Sequence, residues 1–239
     1  MKWLKSSIPE PIKILLRPIR NLFVDHYASE LSFWKSRFEE DNGVFKNECY
    51  QRFMLAMAEQ NDDEFLRGKI VADFGCGPRG SLVWVKSASL RIGIDVLADR
   101  YSDEFSSNII SHGMIYLKST EKVIPLPSDF VDVMFTLNAL DHVKDFSTMC
   151  REIIRVTKPG GLFIGSFNLE EPPTQTEPQR LTEKIIRENL LNFLEVLSYR
   201  VTRKIKNQGP NGVYSPFFDG SESYKQGQKG ILWVKAKLG

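Results

Sequence analysis

The residues whose types and spacing could do chemistry crowd into one short stretch, Asp73-Phe74-Gly75-Cys76-Gly77-Pro78-Arg79-Gly80. Gly75, Gly77 and Gly80 satisfy the spacing GxGxxG, which lets a backbone turn tightly behind a strand and approach a ligand closely. The glycines alone do not say which ligand. Asp73 narrows the choice: a pyrophosphate seated on a helix start wants backbone donors, and a carboxylate beside it would repel it. The same carboxylate suits an ammonium group. Asp95 stands eighteen residues beyond Gly77, at the end of the next β-rich run, where an acid accepts from both hydroxyls of a ribose. An Asp after a strand often only caps a turn. The joint pattern of acid, three glycines and second acid predicts a ligand with a cationic end and a ribose.

Those residues must be held by an alternating framework. Ile70-Val71-Ala72 leads to Asp73, Arg91-Ile92-Gly93-Ile94 leads to Asp95, and Met114 to Leu117 and Val131 to Phe135 form two further apolar runs. Short β-rich runs interleaved with helical patterns predict βαβ units and a parallel sheet. A helix is expected to open at Ser81. Another is expected over Phe146 to Val156, with Phe146, Met149, Cys150, Ile153 and Ile154 on its apolar side. Lys158-Pro159-Gly160-Gly161 reads as its terminator, and Leu162 to Phe167 as the fifth strand. Leu181 to Leu191 is a further helix with Thr182 as its cap. Phe193 to Val201 and Ile231 to Leu238 supply two last strands, joined by a Gly/Pro/Tyr-rich loop.

Ahead of this core lies a helical region. Leu31, Trp34 and Phe38 share one helix face, and Tyr50, Phe53, Met54 and Met57 share another, with Asn42-Gly43 as the turn between them. These aromatics are read as core or cap. The polar break Asn61 to Glu64 places a boundary between an N-terminal arm or cap, residues 1–62, and the main domain, residues 63–239. Residues 3–23 set Lys2, Lys5, Lys13, Arg17 and Arg20 in or beside an apolar pattern in which Ile12, Leu15, Leu16 and Ile19 share a face, interrupted at Pro18. Such a segment either docks on its own catalytic domain or lies in a membrane interface.

Residues from about 69 to 168 resemble the class I S-adenosylmethionine-dependent methyltransferases of the type 11 kind. The matching text is Val71 to Gly77, Gly93-Ile94-Asp95, Ile124-Pro125-Leu126-Pro127 leading to Phe130-Val131-Asp132-Val133, and Glu152 through Gly161. The resemblance implies an α/β, Rossmann-like, seven-stranded and mostly parallel sheet with helices on both faces and an antiparallel last strand. It also implies S-adenosyl-L-methionine as cofactor, with Gly75 and Gly77 under its amino-acid part, Asp73 near its ammonium and Asp95 on its ribose. Asn138, in the Leu137-Asn138-Ala139 segment after strand four, faces the methionine portion. Family members usually place an Asp-Ala pair beside adenine after strand three. This chain has Ser119-Thr120-Glu121 there, which leaves adenine to the Thr120 hydroxyl or the Glu121 backbone.

A sulfonium methyl is already electrophilic, so such an enzyme mainly aligns an acceptor in line with it. A hydroxyl acceptor also needs a base, and Asp141-His142 is the candidate pair, since imidazole takes a proton near neutral pH. A helix-start His fixed by hydrogen bonds is the alternative reading of His142. Asn168, Glu177, Arg180 and Tyr214 are expected to line the acceptor site, with Glu177 a secondary base. The expected acceptor is a small molecule, a saccharide or a lipid-linked glycan, methylated on oxygen. The rivals are an RNA or protein methyltransferase using Arg200, Arg203, Lys204 and Lys206, and a non-catalytic cofactor-binding partner subunit. A nicotinamide dehydrogenase is disfavoured by Asp73.

Composition bounds these readings. Lys+Arg at 32 against Asp+Glu at 30 leaves +2, too balanced to announce a nucleic-acid binder. Three cysteines without a CxxC pair argue against a disulfide scaffold and a structural zinc site, so no metal is expected and a reducing cytoplasm is. No run approaches the ~20 apolar residues of a membrane span. Any membrane contact is then expected to be peripheral, at the inner face and through residues 1–23.

Overall fold

A computed structural model describes residues 26–174, 176–205, 211–220 and 223–239. The apolar runs become seven strands: β1 Ile70–Phe74, β2 Leu90–Asp95, β3 Ile115–Lys118, β4 Val131–Leu137, β5 Thr157–Leu169, β6 Leu194–Arg203 and β7 Gly230–Leu238. They form one sheet in the order β3-β2-β1-β4-β5-β7-β6. The first five strands run parallel, and β7 lies antiparallel between β5 and β6. After β1 the chain builds outward through β2 and β3, then returns to place β4 on the other side of β1. Loops leaving β1 and β4 therefore diverge at the carboxyl ends of the strands, the crevice in which open α/β sheets bind ligands.

The helices among the described residues are α1 His26–Glu40, α2 Glu48–Ala58, α3 Ala98–Glu104, α4 Ser106–Ser111, α5 Phe146–Val156, α6 Glu183–Asn189 and α7 Ser215–Asp219. Alternation along β4 sends Met134 to one sheet face and Val133 and Phe135 to the other. On the Met134 face, α5 buries Phe146, Met149 and Ile153, and α6 buries Ile186. Both helices start on a side-chain cap. Asp145 accepts the Thr148 N–H at 3.0 Å, and Thr182 accepts the Ile185 N–H at 3.2 Å. On the opposite face Met54, Met57 and Ala58 of α2 share a core with Val71, Val133 and Ile164. A smaller cluster joins Leu31, Trp34 and Phe38 of α1 to Phe45, Tyr101 and Phe105, so α1 lies over the α3–α4 end of the sheet.

Two local expectations are corrected. Residues 81–84 form hydrogen-bonded turns rather than a helix, closed by the Val83 N–H on the Gly80 carbonyl at 3.1 Å. The sheet face that such a helix would cover is taken by α2, and Leu82 and Val85 enter the same core from the turn. Lys158-Pro159-Gly160-Gly161 lies inside β5 instead of ending α5. The break comes at Thr157, whose backbone is extended at φ −83° and ψ 133°, and the register between β4 and β5 shifts just beyond it. Gly160 absorbs that irregularity at φ +75°.

No helix of the described residues is long and apolar enough to cross a membrane. The arm at residues 1–23, with its expected membrane or docking role, lies outside the described residues.

Candidate active site

The cleft at the carboxyl ends of β1, β2 and β4 is lined by Asp73, Gly75, Gly77, Asp95, Thr120, Glu121, Asn138 and His142, and α1 adds Tyr27, Glu30 and Trp34. Among the described residues neither Lys nor Arg lines it, although four carboxylates do.

Asp73 is buried near the end of β1. The Ser81 hydroxyl donates to its Oδ2, whereas Oδ1 has no hydrogen-bond partner. Burial pushes its carboxyl up to about 7; the Ser81 hydroxyl opposes the shift and the charge of Asp95 adds to it. Asp95 closes β2. Its Oδ1 accepts the Leu97 N–H at 2.9 Å and its Oδ2 the Gly77 N–H at 3.0 Å. Burial raises this carboxyl to about 6 despite those two donors. Two desolvated acids facing one cavity without a protein cation make a site that favours a positively charged ligand.

The glycine loop passes under the cleft in conformations reserved for glycine. Gly75 has φ +72°, and a Cβ there would stand 2.1 Å from the Ala139 Cβ. Gly77 has φ +56°, and a Cβ would meet the Trp34 indole at 2.7 Å. Side chains at either position would thus collide with the walls of the cleft.

Asn138 follows β4 at φ +47°, a conformation asparagine tolerates. Its backbone N–H donates to the Ser166 carbonyl at 3.0 Å, and its Nδ2 donates to Tyr214 Oη at 2.8 Å. Its buried Oδ1 has no partner. After β3, Thr120 spends its hydroxyl on its own turn, accepting the Val123 N–H at 3.0 Å. Glu121 accepts from the Tyr27 hydroxyl and from the Lys144 N–H, the latter at 3.1 Å, which ties α1 across the mouth of the cleft.

At the β4 end, Asp141 is buried and accepts from Asn168 Nδ2 at 2.9 Å. Asn168 in turn accepts from Lys204 Nζ at 3.0 Å, so it stands behind Asp141 instead of on the cleft wall. His142 and Glu177 are each about a third exposed, with Nε2 and Oε1 3.9 Å apart. Arg180 turns toward Glu170, donating to its Oε2 at 2.7 Å, and does not line the cleft. Tyr214 reaches the site through Asn138. Sequence periodicity alone marks the α1 aromatics as packing and gives no role to Tyr27 or Glu30. The available signal was spacing: Tyr27, Glu30 and Trp34 fall at i, i+3 and i+7, one stripe of a helix.

Residues 72–165 match the model of a methyltransferase domain. That span holds both acids, the glycine loop and Asn138-Ala139. Residues 72–165 therefore carry a methyltransferase domain. An uncharacterized methyltransferase of Mycobacteroides abscessus is 30% identical over 46% of this chain and 44% of its own. A sterol 24-C-methyltransferase of Aspergillus fumigatus is 26% identical over 62% of this chain and 40% of its own. The chain thus spans less than half the length of these curated relatives. Among solved structures, an S-adenosylmethionine-dependent methyltransferase from Mesorhizobium loti shares the fold, with a TM-score of 0.55 and 16% identity over 76% of this chain and 95% of its own. The cofactor of this methyltransferase fold is S-adenosylmethionine, and the cleft fits it: the unpartnered Asp73 Oδ1, the Cβ-free cradle at Gly75 and Gly77, and the acid-rich, Lys- and Arg-free wall all suit a cationic ligand.

Proposed function

We propose that this methyltransferase transfers a methyl group to an oxygen of a small molecule or a saccharide, including a lipid-linked glycan. The observation that carries the reading is the pair Asp73 and Asp95, desolvated carboxylates that end adjacent strands and face one cleft. S-adenosylmethionine supplies there a methyl group on a positively charged sulfur, which needs alignment more than activation. In this reading Asp73 holds the ammonium through its free Oδ1, and Asp95 holds the ribose while fixing Gly77. Gly75 and Gly77 let the backbone pass beneath, and Asn138 offers Oδ1 to the methionine portion. For adenine, Thr120 is committed to its turn, which leaves the backbone near Glu121. Trp34 and Tyr27 exclude water from above.

The acceptor enters at the Asp141–His142 end, where Glu177 also stands, and the hydroxyl proton departs there. That cluster of proton-accepting groups suits an acceptor, such as a hydroxyl, that gives up a proton on methylation. Tyr214 supports Asn138, and Asn168 supports Asp141. Binding of a large basic-patch partner draws less support: Arg200 stacks on Phe217 with its guanidinium 5.0 Å from the ring centroid, and Lys204 pairs with Glu171 at 3.1 Å. Lys206 lies outside the described residues. Free thiols at Cys49, Cys76 and Cys150 are in keeping with a reducing compartment.

The test combines calorimetry with S-adenosylmethionine and NAD against transfer of isotopically labelled methyl to a panel of polyols, phenols and glycans. Heat with S-adenosylmethionine alone and label in an ether bond are expected. Cofactor binding with no transfer to any member of the panel would favour a partner-subunit role, and label in RNA or protein would favour those acceptors.

A further inference from the structure

Asp141, His142 and Glu177 each offer one ligand atom, these atoms lie within 4.8 Å of one another, and of the three residues His142 lines the cleft while Asp141 and Glu177 stand behind it. Asp141 is 2% exposed, and its Oδ1 is buried with no hydrogen-bond partner, while Oδ2 is occupied by Asn168. A carboxylate oxygen buried in that condition lacks the proton or cation that would offset its desolvation. His142 Nε2 and Glu177 Oε1 are 3.9 Å apart, too far for a hydrogen bond. Two ligands bound to one ion at about 2.1 Å each lie about 3.4 Å apart at a tetrahedral angle and about 4.2 Å apart when opposite. The observed gap falls between those limits.

Behind the three residues the support is also in place. Asn168 orients Asp141, and Lys204 orients Asn168, the outer-layer hydrogen bonding that metal-binding carboxylates use. His142 lines the cofactor cleft, so any ion held here would face the reacting end.

We propose that Asp141, His142 and Glu177 form a site for a divalent transition-metal ion, whose remaining positions take the hydroxyl of the methyl acceptor. The proposal rests on the reading of the cleft as a methyltransferase site with an oxygen acceptor. One imidazole and two carboxylates suit Mn²⁺, Fe²⁺ or Zn²⁺. Three protein ligands leave one position in a tetrahedral ion and three in an octahedral one, so an acceptor with neighbouring hydroxyls, such as a sugar diol, can chelate it. The ion acidifies the bound hydroxyl, whose proton passes to solvent. The oxygen then bonds to the methyl carbon as the carbon–sulfur bond breaks, and sulfur keeps that electron pair. His142 Nε2 serves as a ligand in this arrangement, and the proton leaves without passing through it. No local spacing marks this set, because Glu177 lies 35 residues beyond His142 and reaches it only through the fold.

The test is titration of the chelator-treated full chain with Mn²⁺ alone, followed by electron paramagnetic resonance, with Zn²⁺ in a parallel calorimetric titration. One saturable site is expected. Glu177→Gln and His142→Asn, both at partly exposed positions, should each weaken it tenfold or more while thermal melting stays at the parent value, and Glu177→Gln, which does not line the cofactor cleft, should also keep the parent S-adenosylmethionine affinity. Absence of a saturable site for both ions, or affinity unchanged in both variants, overturns the proposal. Calorimetry with S-adenosylmethionine on the same samples separates the two readings. Intact cofactor binding without a metal site removes only the ion, whereas loss of cofactor binding in the parent protein removes the methyltransferase reading itself.

Discussion

Asp95 Oδ2 accepts the Gly77 N–H at 3.0 Å, so the acid that ends β2 also fixes the glycine loop that follows β1. Ligand contact and loop geometry are thereby joined in one carboxylate. Asp95→Ala should lower S-adenosylmethionine affinity by about 10- to 100-fold, the scale of losing charge-assisted hydrogen bonds. Asp95→Asn, which keeps one acceptor oxygen, should lose less. Calorimetry checks both, and equal affinity across the three proteins contradicts the assignment.

The two raised carboxyls give the ligand-free protein a pH signature. Asp73 at about 7 and Asp95 at about 6 sit above the ordinary 3.8, so the folded chain holds more protons than the unfolded chain between those values. Their contribution to stability is therefore full below 3.8 and lost as pH rises through 6 and then 7. A cationic cofactor prefers the ionised pair, so its affinity rises over the same interval. Melting of the ligand-free protein should fall from about pH 5 to about pH 8 by more than in Asp73→Asn, and the stabilisation by S-adenosylmethionine should grow. A cofactor effect that shrinks as pH rises contradicts the arrangement.

Gly75→Ala combines a strained φ of +72° with a Cβ 2.1 Å from Ala139. Gly68→Ala is a control, since Gly68 has φ +68° but nothing within 4 Å of the added atom. The control should cost about 1 kcal/mol from backbone strain alone. Gly75→Ala should cost about 2–4 kcal/mol, because overpacking adds to that strain. Urea unfolding of both variants measures the difference, and similar losses would show that the Ala139 contact yields freely.

Tyr27 reaches Glu121 across the mouth of the cleft. Tyr27→Phe removes the hydroxyl and keeps the ring, so the expected change is about 0.5–1.5 kcal/mol, or roughly 2- to 10-fold. It should appear in the release rate of S-adenosylmethionine, with association little affected. Stopped-flow displacement reads this directly, and an unaltered release rate would mean that α1 does not gate the cleft.

Local patterns in the chain were enough to specify the strands, the capped helix at Thr182 and the acid–glycine–acid constellation. Each depends on residue type and short spacing, and backbone sterics and side-chain periodicity act over the same short range. The resemblance then supplied the number of strands and the antiparallel last strand, and the strand order came from the fold. Three features needed the assembled molecule. The turn at residues 81–84 replaced a helix because α2, from earlier in the chain, already covers that sheet face. Asn168 and Arg180 carry suitable polar groups for an acceptor site, yet Asp141 and Glu170 claim them, and such partnerships are set by distance in space. Tyr27 and Glu30 joined the site only when α1 folded over the cleft. Sequence alone determined what kind of ligand two strand ends can clasp. Tertiary packing decided which remaining polar groups are consumed by one another and which stay free to act, because burial and competition for partners are properties of the whole fold.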